Sequence, residues 1–252
     1  MKTVLVLGGV DVAAEKELHY GIWNSWWKSR LVRYGITHAG AVLAVDDFLR
    51  KEAVRLAKYE GENISIVPTG YDYEFWRPSG KKENVVLTVA SCPDMLRVKL
   101  KGVDVFLSVA RKLHDLQFQI IGLDPRLASA LDPPANVQCL PFSSPEVLLA
   151  SYQRAKVYCQ LSYREGLPNS LCEAMLCECI PVGTRVGGIP TAIGESGFLV
   201  DYPDEEAIVQ SVRKALASPP GMAQHARERI SSRFTIEARE DALKQTIHRV
   251  LQ

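Results

Sequence analysis

At 252 residues the chain has room for one large domain or two modest ones with buried cores of their own. Hydrophobic residues make up 47% and charged residues 23%, and a net charge of +1 gives no bulk electrostatic argument for a nucleic-acid partner. No apolar run approaches the roughly 20 residues of a membrane span, and the short β-branched run after Lys2 favours a buried strand over a signal peptide.

Apolar β-branched runs alternate with amphipathic stretches, the pattern of βαβ units and parallel sheets. A first strand is expected at 3–7, a second at 41–45 followed by a helix at 46–59, and a third at 64–67. Between the first two lies Ile22-Trp23-Asn24-Ser25-Trp26-Trp27-Lys28-Ser29-Arg30. Its mix of aromatics and cations suits a membrane interface, or a helix packed on a second domain, and burial of tryptophan favours packing. Turn residues crowd positions 68–78, and Ser79-Gly80-Lys81-Lys82 reads as a linker, so a domain boundary is expected near residue 80. Further strands are expected at 84–89, 118–121, 137–140, 157–161 and 180–182, with residues 197–200 completing the sheet. Helices are expected at 103–114, 145–152, 170–176, 205–217, 223–233 and 236–251.

The six cysteines lie mostly inside apolar runs, which suggests buried reduced thiols and a cytoplasmic protein. Cys172, Cys177 and Cys179 are close together, but no Cys-x-x-Cys pair or nearby histidine accompanies them, so no metal site is expected.

The most chemical stretch is Tyr163-Arg-Glu165-Gly166-Leu167-Pro168-Asn169-Ser170-Leu-Cys-Glu173. Glycine, proline and asparagine mark the passage from loop to helix, and the first amides of a helix form an anion site. Glu173 has a second reading, as the return arm of a capping box on Ser170, and Glu165 as a solvated loop acid. Lys101-Gly102 offers a flexible cation before a tight turn, or a surface lysine before a helix. Phe142 follows the strand at 137–140 and reads as a base-stacking ring or as core. Gly187-Gly188 reads as a ligand-facing turn or as a plain strand-to-helix turn.

Taken in order, these motifs resemble the donor domain of GT4-family retaining glycosyltransferases, α/β proteins of GT-B fold. The matching residues run from Asn84 to Arg239: Leu100-Lys101-Gly102-Val-Asp104, Phe118-Gln-Ile-Ile-Gly122, Glu165 to Glu173, Ala174 to Thr184, and Val186 to Pro190. Residues 64–78 are similar to the end of the family's N-terminal domain, through Pro68, Gly70, Asp72 and Pro78. The resemblance implies one complete Rossmann-type donor domain with a parallel sheet at 81–233. It also implies a truncated N-terminal, acceptor-side part at 1–80 and a closing helix at 234–252 that crosses back to it. The family's Gly-rich acceptor loop has no counterpart, Gly8 or Gly9 stands where a histidine is usual, and Ala90-Ser91-Cys92 replaces a strand-end arginine. Arg97 or Lys99 is the nearest substitute for that arginine. Cys179 stands where the family has a glycine at a helix end.

The activity so implied is transfer of a hexose from a nucleotide-diphosphate sugar to a carbohydrate or lipid-linked acceptor, with retention and without a metal or other cofactor. Glu165 and Lys101 would be the catalytic residues, with Glu165 facing the sugar and Lys101 the diphosphate. Gly102, Gly166, Leu167, Pro168, Asn169, Ser170, Glu173, Phe142, Gly187 and Gly188 would bind the donor, Glu173 through the ribose. Alternatives are a non-catalytic donor-binding subunit completed by a partner chain, and a GT-B epimerase or hydrolase. A cytoplasmic site of action is expected, with peripheral association at the membrane as the alternative reading of residues 22–30.

Overall fold

The computed structural model describes residues 2–252. They form two compact units, one built from residues up to Gly70 together with Phe234–Gln252, the other from Tyr71–Arg233. The first unit ends before the polar linker at Gly80, because aromatic anchors tie residues 71–78 to the second. There the Tyr71 hydroxyl donates to Asn169 Oδ1 at 3.0 Å, and the Trp76 ring meets Tyr152 edge-on at 5.6 Å.

In the first unit, strands β1 (Val4–Val6), β2 (Ala41–Ala44) and β3 (Ile64–Ile66) pair in parallel in the order β1-β2-β3. Helix α1 (Trp26–His38) joins the first two and α2 (Asp47–Ala57) the last two. Asp46 caps α2, accepting from the Leu49 and Phe48 amides at 3.1 and 3.3 Å. Burial pushes its carboxyl upward while those two amides oppose the shift. Val12, Ile36, Val42, Ala44, Leu49 and Ala53 fill the core. The outer edge of β1 has no strand partner among the described residues, and Leu5 and Val6 are exposed. Packing does not hide the aromatics of α1: Trp26 is 72% exposed and Trp27 50%. Cationic Arg30 and Lys28 lie over these two rings instead.

The second unit holds a six-stranded sheet of β4 (Glu83–Cys92), β5 (Gln117–Leu123), β6 (Val137–Leu140), β7 (Ala155–Gln160), β8 (Ile180–Thr184) and β9 (Phe198–Val200). All five pairings are parallel, in the order β6-β5-β4-β7-β8-β9. The central strands are apolar on both faces, as Val86, Leu87, Ile120, Ile121, Val157 and Val182 show. The helices are α3 (Met95–Lys101), α4 (Val103–Lys112), α5 (Pro125–Ala130), α6 (Pro145–Arg154), α7 (Asn169–Leu176), α8 (Ile189–Ile193), α9 (Glu205–Ala217) and α10 (Pro220–Arg233). Of these, α3, α5 and α8 are too short to write a helical period into the sequence. The chain winds outward from β4 in both directions, so the strand order reverses between β4 and β7. In open α/β sheets such a switch point, at the carboxyl ends of the strands, forms the binding crevice.

Helix α11 (Ile236–Leu251) belongs to the first unit, where Arg239 Nη1 donates to the Pro68 carbonyl at 2.7 Å. At the end of α7 the left-handed residue is Glu178, with φ of 61°, so the conformation a glycine would ease falls one position before Cys179. Lys82 Nζ closes the same helix end, donating to the Cys177 and Tyr152 carbonyls at 2.6 Å each. No helix among the described residues is long and apolar enough to cross a membrane.

Candidate active site

The switch point gathers two chain segments far apart in sequence. From β4 the chain runs into α3, whose last residue is Lys101. From β7 it runs through Leu161 and Ser162 into the Glu165 loop and α7. A backbone bond from the Tyr163 amide to the Leu100 carbonyl, 2.9 Å long, ties the two together. Lys101 Nζ then donates to Glu165 Oε2 at 2.6 Å. Both side chains are mostly covered, at 25% and 15% exposure, so water screens the pair weakly. Neither the surface-lysine nor the solvated-acid reading survives this geometry.

Backbone packing holds the loop in place. Gly102 adopts φ of 66°, ending α3 and opening α4, and a Cβ there would lie 1.8 Å from the Leu161 carbonyl oxygen. Gly187, with φ of 56°, is pressed as closely on the Glu165 carbonyl oxygen, again at 1.8 Å for an added Cβ. The Gly188 amide donates to the Gly166 carbonyl at 3.1 Å. Gly187 and Gly188 therefore brace the Glu165 loop from β8, a role that spacing alone did not suggest.

Helix α7 begins at Asn169 after Pro168, with no side-chain cap. The capping box does not form. Ser170 Oγ instead accepts from the Tyr158 hydroxyl at 2.9 Å. Glu173 Oε2 accepts from the Tyr152 hydroxyl at 3.1 Å, and burial, only partly opposed by that bond, pushes the Glu173 carboxyl upward. Burial also keeps the Tyr152 phenol protonated as a donor, well above its usual range. Leu167 is buried, so of this residue the backbone is what can reach a ligand.

Phe142 is 80% exposed and is no part of the core. It stands at the rim of a cleft of about 310 Å³, lined also by Ser91, Cys92, Gly122, Asp124 and Pro141 at the ends of β4, β5 and β6. Arg97 lies one turn before Lys101 on α3. Among the described residues no group of three or more His, Cys, Asp or Glu side chains is arranged to hold a metal.

Sequence reasoning missed Tyr152, Tyr158, Gln160 and Ser162. The last three continue, at every second position, a row begun by Lys156 in a strand whose alternate positions are apolar. That period-2 row of hydrogen-bonding groups is the signal that reveals them.

The sequence profile described as Glycosyl transferases group 1 matches residues 74–233. D-inositol 3-phosphate glycosyltransferase of Segniliparus rotundus is 28% identical over 224 residues, covering 76% of this chain and 49% of that protein. MMP alpha-(1->4)-mannosyltransferase of Mycolicibacterium hassiacum is 26% identical, over 77% of this chain and 52% of that protein. The chain spans about half the length of the curated relatives it matches. Among solved structures, Anabaena HepE in complex with UDP-glucose superposes with a TM-score of 0.81 at 14% identity, covering 97% of this chain and 71% of that one. That likeness shows a shared GT-B-type fold.

Proposed function

Since the chain belongs to the Glycosyl transferases group 1 family, we propose that it binds a nucleotide-diphosphate sugar and transfers the sugar to a carbohydrate or lipid-linked acceptor with retention of anomeric configuration. The observation that carries this reading is the Lys101–Glu165 pair at the switch point, beside the start of α7. As the sugar departs, negative charge grows on the diphosphate. Lys101 meets that charge, together with the backbone amides of Gly166 and Leu167 and those of Asn169 and Ser170, which carry the positive end of the α7 dipole. These groups neutralise the leaving diphosphate without a metal. Glu165 turns its carboxylate to the sugar, holding hydroxyls or positive character at the reacting carbon. Glu173 holds the ribose through charge-assisted hydrogen bonds. The cleft rimmed by Phe142 takes the base. The buried, free thiols of Cys92, Cys159, Cys172, Cys177 and Cys179 support a cytoplasmic site of action.

A thermal-shift panel of UDP-glucose, UDP-N-acetylglucosamine, GDP-mannose and UDP tests the reading. A true donor at about 100 times its Kd stabilises the fold by about 2.7 kcal/mol. Proton NMR of the sugar first released then reports its anomer, and retention from an α-linked donor releases the α form. Absence of any shift across the panel overturns donor binding. A second reading is favoured by the unpaired outer edge of β1: a donor-binding subunit whose first unit a partner chain completes. It gives the thermal shift with no sugar release.

Donor affinity also acquires a pH dependence through Glu173. Its carboxyl is pushed above the ordinary 4.5, so it takes up a proton at milder acidity than a free glutamate. The ionised form holds the ribose, so affinity falls on acidification, beginning above that ordinary value. Folding stability takes the opposite sign: with the carboxyl raised in the folded protein, this group's contribution is fullest at low pH and is lost as pH rises through its raised value. Calorimetric Kd values for UDP-glucose from about pH 8 to about pH 5 check this. The wild type should weaken while Glu173→Gln stays flat, and parallel curves for the two proteins refute the assignment.

A further inference from the structure

We propose that Gln160 and Ser162, buried beneath the Glu165 loop, are positioning residues that hold the Glu165 carboxylate for sugar transfer; the inference rests on the donor-site reading above. Gln160 is 3% exposed and Ser162 fully buried, on the face of β7 and its extension that also carries Tyr158. Gln160 Oε1 faces the Tyr158 hydroxyl at 3.2 Å and the Ser170 hydroxyl at 3.5 Å; with the Tyr158 proton on Ser170 Oγ, Ser170 is the donor to Gln160 Oε1, which fixes the orientation of the carboxamide. Gln160 Nε2 therefore faces Ser162 and donates to its Oγ at 2.8 Å. With that lone pair engaged, the Ser162 hydroxyl is free to donate to Glu165 Oε2, at 3.2 Å. The backbone of Ser162 is held as well, its carbonyl accepting from Thr184 Oγ1 at 2.8 Å.

The polarity of this chain runs one way, from Tyr158 through Ser170, Gln160 and Ser162 to the carboxylate. Lys101 Nζ lands on the same oxygen, Oε2. Two donors on one oxygen set the carboxylate's rotation, and Oε1 has no hydrogen-bond partner among the described residues. That oxygen is the one left for a sugar hydroxyl or the reacting carbon. An apolar pair at 160 and 162 would fill the core of a buried strand at lower desolvation cost. The polar pair is explained by where its chain of hydrogen bonds ends. Both residues lie buried beneath the loop, so both act through Glu165.

The test compares Ser162→Ala, Gln160→Met and the conservative Ser162→Thr with the wild type. Release of glucose from UDP-glucose gives kcat and KM, and calorimetry gives the Kd for UDP. For Ser162→Ala and Gln160→Met, kcat is expected to fall roughly 10- to 100-fold. KM for UDP-glucose and Kd for UDP should stay within about 2-fold, and Ser162→Thr should recover most of kcat. A merely structural role moves the UDP affinity and the melting temperature together with kcat, and unchanged kcat in Ser162→Ala overturns the proposal outright. A donor-free measurement separates its failure from that of the donor site. In 15N-lysine-labelled protein the Lys101 ammonium signal, slowed in exchange by its bond to Glu165, should persist in the wild type and Ser162→Thr and vanish in Ser162→Ala. Equal signals in all three overturn the positioning role whatever the donor proves to be.

Discussion

Replacing Lys101 by alanine is expected to weaken binding of the nucleotide-diphosphate sugar roughly 10- to 100-fold, since a hydrogen bond to a charged group contributes about 1.5–3 kcal/mol. The variant also strands Glu165, which is 15% exposed and would keep only the Ser162 hydroxyl of its two donors. Folding stability should fall by about 1–3 kcal/mol for that reason. Calorimetry with UDP-glucose and with UDP separates the two effects: loss of affinity for both ligands marks Lys101 as a diphosphate contact. Affinity for UDP equal to that of the wild type would refute the role. A Lys101→Arg variant should recover charge but not position, because the longer planar guanidinium cannot reproduce a single 2.6 Å contact on Glu165 Oε2.

The largest stability effects should come from two glycines, not from the charged residues. Gly102→Ala and Gly187→Ala each put a methyl group 1.8 Å from a backbone carbonyl oxygen, in a left-handed conformation that already disfavours side chains. The atoms that would have to move belong to the β7 extension and to the Glu165 loop. A cost of about 3–5 kcal/mol is expected for either variant, at the exceptional end for single substitutions. Urea unfolding measures it, and a change below about 1 kcal/mol would show that the backbone yields. In Gly187→Ala the loop can relieve the clash only by shifting the Glu165 carbonyl, so any protein that still folds should have lost donor turnover. The two glycines thus test the same site from opposite sides, one through α3 and one through β8.

Much of the fold can be read without coordinates. Runs such as Val85-Val-Leu-Thr-Val89 and Phe118-Gln-Ile-Ile121 are β-branched and apolar on both faces, which specifies a buried parallel strand. Helix α7 begins at Asn169, one residue before the expected 170, because proline and asparagine mark a first turn wherever they stand. Short elements escape such reading. Helix α8 spans five residues, fewer than two turns, and leaves no periodic trace. Trp26 and Trp27 mislead because tryptophan is buried on average, whereas here the rings stay exposed beneath their own cations.

The site divides along the same line. Residue types and local spacing determined that Glu165, Pro168 and Asn169 lie where a strand-end loop enters a helix, and that Lys101-Gly102 stands at a turn. Those features depend on dihedral preferences within a few residues of chain. Only the tertiary structure decided that Lys101 meets Glu165 across 64 positions, that Glu173 answers to Tyr152 and not to a capping box, and that Gly187 braces the loop from behind. Such contacts follow from strand order. The reversal between β4 and β7 brings their carboxyl ends together, and no local propensity encodes which two strands will be neighbours.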